Sequence, residues 1–290
     1  MAATDKLVDR VPPTSYFLVS AVFHYLGPSF AVLLFAHLDV LGVAWLRIAA
    51  AAAVFGGWRR PWRILRDDEH RGTLIALGIV LAAMNSLFYL AIDRLPLSTV
   101  GAVEFLGTVV LAAAGTRTRR NIAALVLAIA GVFVLTDVRL GGQPLGFAFA
   151  FANCGGFMVY VILGHRIAND DGKIDRLGAS MLIAAVAATP FGIGAAAPAF
   201  IHPVWLLWGI GVGLCSSVIP YLTDQLAMAR LPRATFALML ALLPATATVI
   251  GLVVLSQVPT PRDLGGIALV VAGVALHRDA PPLSPGRRPR

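Results

Sequence analysis

The chain has 290 residues, of which 58% are hydrophobic and 13% charged, and its mean hydropathy is +0.82. A water-soluble protein of this length cannot bury so much apolar surface in its core, so the composition excludes the soluble class and indicates an integral membrane protein. The net charge of +8 does not indicate nucleic-acid binding, because the basic residues lie in short clusters between apolar runs, with no basic face or aromatic RNA-binding motif.

Ten apolar runs follow one another along the chain, each close to the ~20 residues that a membrane-spanning helix needs. In chain order they are 16–37, 40–58, 73–92, 98–115, 121–137, 144–164, 177–198, 204–228, 234–255 and 262–277. We therefore predict an all-α integral membrane protein with ten transmembrane helices. Residues 1–15 are then an N-terminal segment, and residues 279–290 are a tail rich in Pro and Arg that we expect to be disordered.

The basic residues fall unevenly on the two sides of these ten helices. With the N-terminus placed in the cytoplasm, 19 of the 23 Lys and Arg residues lie on the cytoplasmic side. The outer side keeps only Arg94, Arg139 and Arg262, and Arg47 lies inside a span. Because cytoplasmic segments of membrane proteins are enriched in Lys and Arg, we predict that both termini, including the tail, are cytoplasmic.

Two sequence patterns recur at nearly the same offset. Residues 90–96 (LAIDRLP) resemble residues 226–232 (LAMARLP) at an offset of 136, and residues 120–137 resemble residues 262–279 at an offset of 142. The repeat is thus half the chain, or five spans, and divides it into 16–138 and 139–278. Since five is odd, the second copy enters the membrane from the opposite side. We predict two inverted five-helix repeats with a substrate site between them, near the midplane.

The sequence contains no Gly-rich nucleotide loop, no HExxH motif and no GxSxG motif with partners. Cys154 and Cys215 lie in apolar runs without a CxxC pattern or a nearby His pair, which favours small buried side chains over a zinc site or a disulfide. We therefore expect no enzymatic activity, no metal and no cofactor. The main hypothesis is a transporter, and the alternative from another class is a membrane-embedded enzyme that acts on lipid.

Several short stretches carry the likeness to a known family. They are residues 46–47 (LR), 84–90 (MNSLFYL), 95–97 (LPL), 103–105 (VEF), 164–166 (GHR), 220–221 (PY), 230–232 (RLP) and 235–236 (TF). On these residues the chain resembles the drug/metabolite transporter superfamily (EamA type), and within it the bacterial inner-membrane threonine and homoserine exporters. The resemblance implies ten helices in two inverted repeats, a central cavity, and export of amino acids or metabolites from the cell by proton antiport.

The sequence departs from the pattern of that family at three points. Leu-Pro stands at 243–244 where glutamate-proline is expected, Ser-Gln stands at 256–257 where glycine-glutamate is expected, and Thr108 replaces a proline. Asp224 occupies the place of a glutamate in the exporter pattern. Glu104 and Asp224 are therefore the two acids that we place within spans, one in each repeat.

A carboxyl group within a span is costly unless it faces the bundle interior or a cavity. Glu104 lies about two helical turns from the outer end of the fourth span, and Asp224 shares one face of the eighth span with Tyr221 and Gln225. Poor hydration favours the protonated form of a carboxyl group, which suits both acids to proton exchange. The alternatives are a structural hydrogen bond from another helix to Glu104 and, for Asp224, contact with the inner surface or with Arg230.

Further polar residues within spans could line the same cavity. Arg47 could hold a substrate carboxylate, or it could neutralise Glu104 or Asp224. Asn85 and Tyr89 are four residues apart and share a face of the third span. That face suits either cavity lining or hydrogen bonding between helices.

The sixth span offers a matching face through Asn153, Phe157 and Tyr160. In the first span, His24 could titrate near neutrality, although a lone histidine among apolar residues is more often structural. Together with the resemblance, these residues favour a secondary active transporter. The resemblance implies that it exports a small polar metabolite by alternating access in the bacterial inner membrane. Threonine or homoserine is the first expected substrate, and a drug-like amine or a nucleotide-sugar-like solute is the alternative; the sequence leaves the oligomeric state open.

Overall fold

A computed structural model describes residues 12–64, 71–115, 118–137, 143–168, 172–228, 230 and 243–276. Regular structure within these residues is helical throughout. Most of the predicted N-terminal segment, the beginning of the ninth apolar run (234–242) and the predicted tail (279–290) lie outside the described residues. The predictions made for those three segments are therefore not addressed by the structure.

The helices are numbered here in chain order. They are α1 (Pro13–Leu34), α2 (Val40–Arg59), α3 (Arg71–Ile92), α4 (Leu97–Gly115), α5 (Arg119–Asp137), α6 (Pro144–Ala168), α7 (Lys173–Ile201), α8 (Pro203–Gly213, continued by Leu214–Val218 and Ile219–Met228), α9 (Leu243–Leu255) and α10 (Pro261–Leu276). A short 3₁₀ turn, Pro61–Arg63, follows α2. The middle segment of α8, Leu214–Val218, is a π-helical turn, a feature that is often found at functional sites.

Local chemistry sets several of the helix ends. The Asp39 carboxylate caps α2 by accepting a hydrogen bond from the backbone N–H of Leu41 at 2.9 Å. At the start of α10, Asp263 and Thr260 cap each other: the Asp263 carboxylate accepts from the Thr260 N–H at 2.9 Å, and the Thr260 hydroxyl accepts from the Asp263 N–H at 3.2 Å. These caps end the connecting segments where the apolar runs begin.

Six of the described helical stretches are long and apolar enough to cross a membrane. They are Ser15–Leu34, Val40–Trp58, Arg71–Ile92, Pro144–Ile167, Ile174–Ile201 and Pro203–Ala227. Two further apolar stretches, Leu97–Gly107 and Leu243–Leu255, are shorter. The prediction of an all-helical membrane protein is confirmed, and the number of ten spans stays a prediction.

Apolar and polar side chains are distributed as expected for a protein surrounded by lipid. Large apolar side chains such as Phe191 and Val253 are each 75% exposed on the outside of the bundle. Charged and amide side chains lie inside it, among them Arg47, Glu104 and Asn153, which are at most 5% exposed. In a bilayer this arrangement buries the polar groups away from hydrocarbon.

The helix pairs of one half of the chain recur in the other half. The contact between α1 and α8 corresponds to the contact between α6 and α3. In the same way, the contact between α3 and α7 corresponds to that between α8 and α2. The contact between α4 and α6 corresponds to that between α9 and α1. Three further contacts join α2 to α7, α4 to α9 and α5 to α10. If the first five helices are exchanged with the last five in order, this set of contacts maps onto itself.

The contact between α5 and α10 shows the same reciprocity at single residues. A Cβ atom added to Gly131 would lie 2.6 Å from the carbonyl oxygen of Gly266 and 2.7 Å from the side chain of Val270. A Cβ added to Gly273 would lie 2.6 Å from the carbonyl oxygen of Ala124 and 2.9 Å from the backbone nitrogen of Ala128. The absence of a side chain at the two glycines lets the helices approach closely. The two contacts are related by the same offset of 142 residues: Gly273 is 142 residues after Gly131, and Ala124 and Ala128 are 142 residues before Gly266 and Val270.

Candidate functional site

A polar cavity lies inside the bundle, between α1, α2, α3, α4, α6 and α8. It encloses about 230 Å³ of space between atoms, part of it open to the outside, and is lined by His24, Arg47, Met84, Asn85, Phe88, Glu104, Asn153 and Tyr221. Its interior has room for about one water molecule. Five of the ten residues predicted from the sequence line this cavity: Arg47, Asn85, Glu104, Asn153 and Tyr221.

Glu104 is the acidic group of the cavity and is 5% exposed. Its Oε1 atom accepts a hydrogen bond from Nδ2 of Asn153 at 3.1 Å, so the predicted residues on α4 and α6 meet. Its Oε2 atom is buried and accepts no hydrogen bond from any of the described residues. The nearest positively chargeable atom is Nε2 of His24, at 3.7 Å.

The helix α1 approaches Glu104 closely because α4 has a glycine one turn earlier. A Cβ at Gly101 would lie 2.8 Å from the hydroxyl of Tyr25. The absence of a side chain at Gly101 therefore allows Tyr25 to pack directly against the backbone of α4. That hydroxyl is within hydrogen-bonding reach of the Glu104 carboxyl. Gly101 and Glu104 are three residues apart and share one face of α4, so the close approach brings α1 to the acid.

Arg47 is 4% exposed and is held by the π-helical turn of α8. Its Nε atom donates to the hydroxyl of Ser217 at 2.8 Å, and its Nη2 atom donates to the carbonyl oxygen of Ser216 at 2.8 Å. The guanidinium also lies over the ring of Tyr89, 5.1 Å from the ring centre. Arg47 forms no ion pair with a carboxylate among the described residues, so its predicted alternative role of neutralising an acid by direct contact is not seen.

Asn85 and Tyr221 join α3 to α8 across the cavity. The Tyr221 hydroxyl donates to Oδ1 of Asn85 at 3.1 Å, and Nδ2 of Asn85 donates to the carbonyl oxygen of Leu81 at 2.7 Å. Both side chains are therefore oriented by hydrogen bonds and still line the cavity. Asn85 thus lines the cavity and also takes part in a hydrogen bond between helices.

A row of aromatic rings continues from the cavity along α6 and α8. The ring centres of Phe157 and Tyr160 are 5.7 Å apart, and those of Tyr160 and Tyr221 are 5.6 Å apart. Beyond this row, the side chain of Gln225 is fully buried near Gly164. The Tyr160 hydroxyl and both polar atoms of the Gln225 amide have no hydrogen-bond partner within the described part of the chain. The predicted residues of α6 and α8 thus form a second, unsatisfied polar region next to the cavity.

Asp224 does not line the cavity but is attached to α1. Its Oδ1 atom accepts a hydrogen bond from the hydroxyl of Ser20 at 2.5 Å. The guanidinium of Arg230, the alternative partner considered for Asp224, lies 5.6 Å from the ring centre of Tyr16. Ser20 and His24 are four residues apart, so one face of α1 contacts Asp224 with Ser20 and Glu104 with His24.

The sequence analysis favoured a structural role for His24 and did not consider Ser20 or the Ser216–Ser217 pair. The signal available was weak: polar residues at positions 20 and 24 share a face of an otherwise apolar run. Nothing in the sequence pattern indicates that α1 lies between the two acids, because that position depends on how the helices pack.

One of the departures from the family pattern has a structural partner. The Gln257 side-chain oxygen accepts a hydrogen bond from the backbone N–H of Leu97 at 3.1 Å, which ties the end of α9 to the start of α4. A neutral amide is sufficient for this contact, since the donor is an uncharged N–H group.

The family model and the similar sequences found for this chain all belong to transporters. The model of the EamA-like transporter family matches residues 144–278. The threonine/homoserine exporter RhtA of Escherichia coli (strain K12) is 31% identical over 252 residues, which cover 85% of this chain and 84% of that protein. RhtA of Salmonella typhimurium (strain LT2) matches with the same identity and coverage.

A crystal structure of another protein has a similar fold. Its TM-score is 0.60 at 20% sequence identity, and the match covers 91% of this chain and 96% of the other. At this identity the likeness concerns the fold alone. The fold similarity extends over nearly the whole chain, beyond the residues matched by the family model.

Proposed function

This chain belongs to the EamA-like transporter family and is a membrane-embedded metabolite exporter, and from its cavity we propose that the exported solute is a small zwitterionic amino acid, such as threonine or homoserine. We further propose that export occurs across the bacterial inner membrane by alternating access and is coupled to proton antiport. The exporter RhtA, by its name, acts on threonine and homoserine, which supports this choice of substrate.

The observation that carries the substrate proposal is the pair of opposite charges lining one cavity. Arg47 presents a buried guanidinium, and Glu104 presents a buried carboxylate oxygen without a donor among the described residues. A free amino acid carries both complementary charges. Asn85, Asn153 and Tyr221 add neutral polar atoms that suit a short polar side chain.

The alternative classes fit the cavity less well. A drug-like amine without an acid group would leave Arg47 without an anionic partner, and a nucleotide-sugar-like solute has no ammonium group to pair with Glu104. Membership of a transporter family argues against a lipid-modifying enzyme. In addition, no group of three or more His, Cys, Asp or Glu side chains that could hold a metal occurs among the described residues.

The ten-span topology with two inverted repeats, 16–138 and 139–278, is part of the proposal. It is supported by the helix pairs that recur between the two halves and by the reciprocal contacts of Gly131 and Gly273. It also agrees with the excess of Lys and Arg in the segments assigned to the cytoplasm. Because the cavity has room for only about one water molecule, the helices have to move apart before a solute can bind there, as alternating access demands.

Cysteine labelling tests the topology across one helix. In a background with Cys154 and Cys215 replaced by alanine, we introduce Arg119→Cys at the first residue of α5 or Gln143→Cys after that helix; both positions are exposed. We expect a membrane-impermeant maleimide to label position 143 from outside intact cells and position 119 only after permeabilisation. Labelling of both positions from the same side would contradict a single crossing by α5 and with it the ten-span topology.

Transport by purified protein in proteoliposomes tests the substrate. With an imposed pH gradient, we expect radiolabelled threonine and homoserine to accumulate against their concentration gradients in exchange for protons, and protonophore addition to collapse the accumulation. Liposomes without protein and threonine amide, which lacks the carboxylate, are the controls. Accumulation of an unrelated solute, with neither amino acid transported, would remove the substrate assignment and leave the exporter assignment standing.

A further inference from the structure

The carboxylate of Glu104 has one atom whose partner is missing. Its Oε1 atom is bonded to Asn153, whereas its buried Oε2 atom accepts no hydrogen bond within the described residues. Nε2 of His24 faces Oε2 at 3.7 Å, a distance that allows charge attraction but is too long for a hydrogen bond. Since a buried carboxylate oxygen without a donor is costly, this atom is open to a charged donor such as an imidazolium or an ammonium group.

We propose that the protonated imidazole of His24 and the ammonium group of the substrate are alternative counter-ions of Glu104 Oε2, so that binding of one displaces the other. This inference rests on the proposed function, because it requires a substrate with an ammonium group and exchange for protons. His24 then holds the exchanged proton, and Glu104 is the group that substrate and proton share.

The exchange balances in protons and charge. When the substrate ammonium bonds to Glu104 Oε2, the imidazolium loses its partner, breaks its Nε2–H bond and becomes neutral. The proton moves toward Asp224, one turn of α1 closer to the cytoplasmic side in the proposed topology, and from there to water. After the substrate leaves on the outer side, His24 takes up a proton from that side and pairs again with Glu104. One proton enters for each ammonium group that leaves.

The surroundings of His24 provide the groups that this exchange needs. Glu104 faces it from α4, Asp224 and Tyr221 from α8, and Arg47 from α2. The described part of α9 (243–255), which also packs on α1, carries no titratable side chain.

From α6, the chargeable groups of this region are Cys154 and Tyr160, and α3 contributes the neutral Met84, Asn85 and Phe88. Arg47 lines the same cavity and adds a second positive charge.

The imidazole is held in place on both sides. Its ring is edge-to-face with Tyr25 at 5.2 Å and with Phe157 at 6.5 Å between ring centres. One turn earlier on α1, Ser20 is bonded to Asp224. A ring positioned in this way points a nitrogen at Glu104 without using that acid to hold itself, so a substrate can take the place of the imidazolium without disturbing α1.

The first test measures protons released on substrate binding. Purified protein in weakly buffered detergent solution receives threonine or homoserine at about pH 6, within the range where histidine changes charge, and a pH indicator reports the change. We expect release of a proton by the wild-type protein and no release by His24→Gln. His37→Gln is the matched control, because His37 follows the same helix but stacks on Trp205, away from the cavity, and should release the proton like wild type.

The second test follows the half-saturating substrate concentration for exchange in proteoliposomes between about pH 5.5 and about pH 8. Competition between one proton and one ammonium group predicts weaker binding at low pH, by at most about tenfold per pH unit. His24→Gln should lose this dependence and bind tightly at both values, whereas His24→Lys, a permanent cation, should bind weakly at both.

Wild-type protein that binds threonine without releasing a proton overturns the inference without any variant. Proton release that persists in His24→Gln overturns it as well, since the carboxyl groups themselves would then carry the proton. Should His24→Gln fail to fold, His24→Asn serves as a second neutral variant. Failure of wild-type protein to exchange either amino acid removes the proposed function and this inference together; normal exchange with unaltered pH dependence in the variants removes this inference alone.

Discussion

The double variant Glu104→Gln with Asp224→Asn is expected to abolish proton-driven, uphill export of amino acid. Glu104 provides the carboxylate that we propose to be shared by substrate and proton, and Asp224 is the only other acid that we place near it within a span. Loss of a charged hydrogen-bond partner weakens binding by about 10- to 100-fold for a single interaction. Uphill transport, which needs both substrate exchange and proton exchange, should fall to the level of liposomes without protein.

The structure suggests that this variant remains folded. A glutamine at 104 keeps the oxygen that accepts from Asn153, and an asparagine at 224 keeps the oxygen that accepts from Ser20. Thermal unfolding in detergent and elution volume on gel filtration check this. Asp93→Asn is the matched control, because Asp93 pairs with Arg94 outside the cavity. If the double variant accumulated substrate against its gradient at the wild-type rate, this result would falsify the proposed role of the two acids.

Replacement of Arg47 is expected to remove the preference for solutes with a carboxylate. In Arg47→Gln the cavity loses its guanidinium, and affinity for threonine should fall by about 10- to 100-fold, the range for a charge-assisted hydrogen bond. Threonine amide, which has no carboxylate, should lose much less. The quantity to measure is therefore the ratio of the half-saturating concentrations of threonine and threonine amide in exchange assays.

This ratio separates recognition from folding. Arg47→Gln also leaves the carbonyl oxygen of Ser216 and the hydroxyl of Ser217 without their donor, which we expect to lower stability by about 1–3 kcal/mol. A loss of folded protein would reduce transport of both solutes equally. Arg94→Gln, at an arginine paired with Asp93 outside the cavity, is the control. An unchanged ratio in folded Arg47→Gln protein would assign Arg47 a structural role only.

Several features of the site could be predicted from the sequence because lipid imposes a simple rule. A charged or amide side chain within a span has to face the protein interior. This rule alone selected Arg47, Asn85, Glu104 and Asn153, all of which are buried and line one cavity. Helical periodicity then grouped residues that share a face of one helix, such as Tyr221 and Asp224.

The partners of these residues could not be predicted in the same way. The sequence predicted two roles for Arg47, holding a substrate or neutralising an acid, but it gave no sign that the π-helical turn of α8 binds this side chain. A π-helical turn shifts the register of the side chains that follow it by one position, and no periodicity rule shows where it occurs. The placement of His24 beside Glu104 likewise depends on the approach of Tyr25 to Gly101, a contact between residues far apart in sequence.

What the sequence by itself determined is the class of the protein and the inward side of its helices. Apolar runs of about 20 residues are stable only in a bilayer, and polar residues within them are stable only when turned inward. The tertiary structure decided how each helix is rotated and shifted against its neighbours, because those movements are set by the fit of small residues such as Gly101 and Gly131 against distant partners. Glu104 consequently faces His24 and Asn153, and Asp224 faces Ser20, by packing that one-dimensional patterns do not encode.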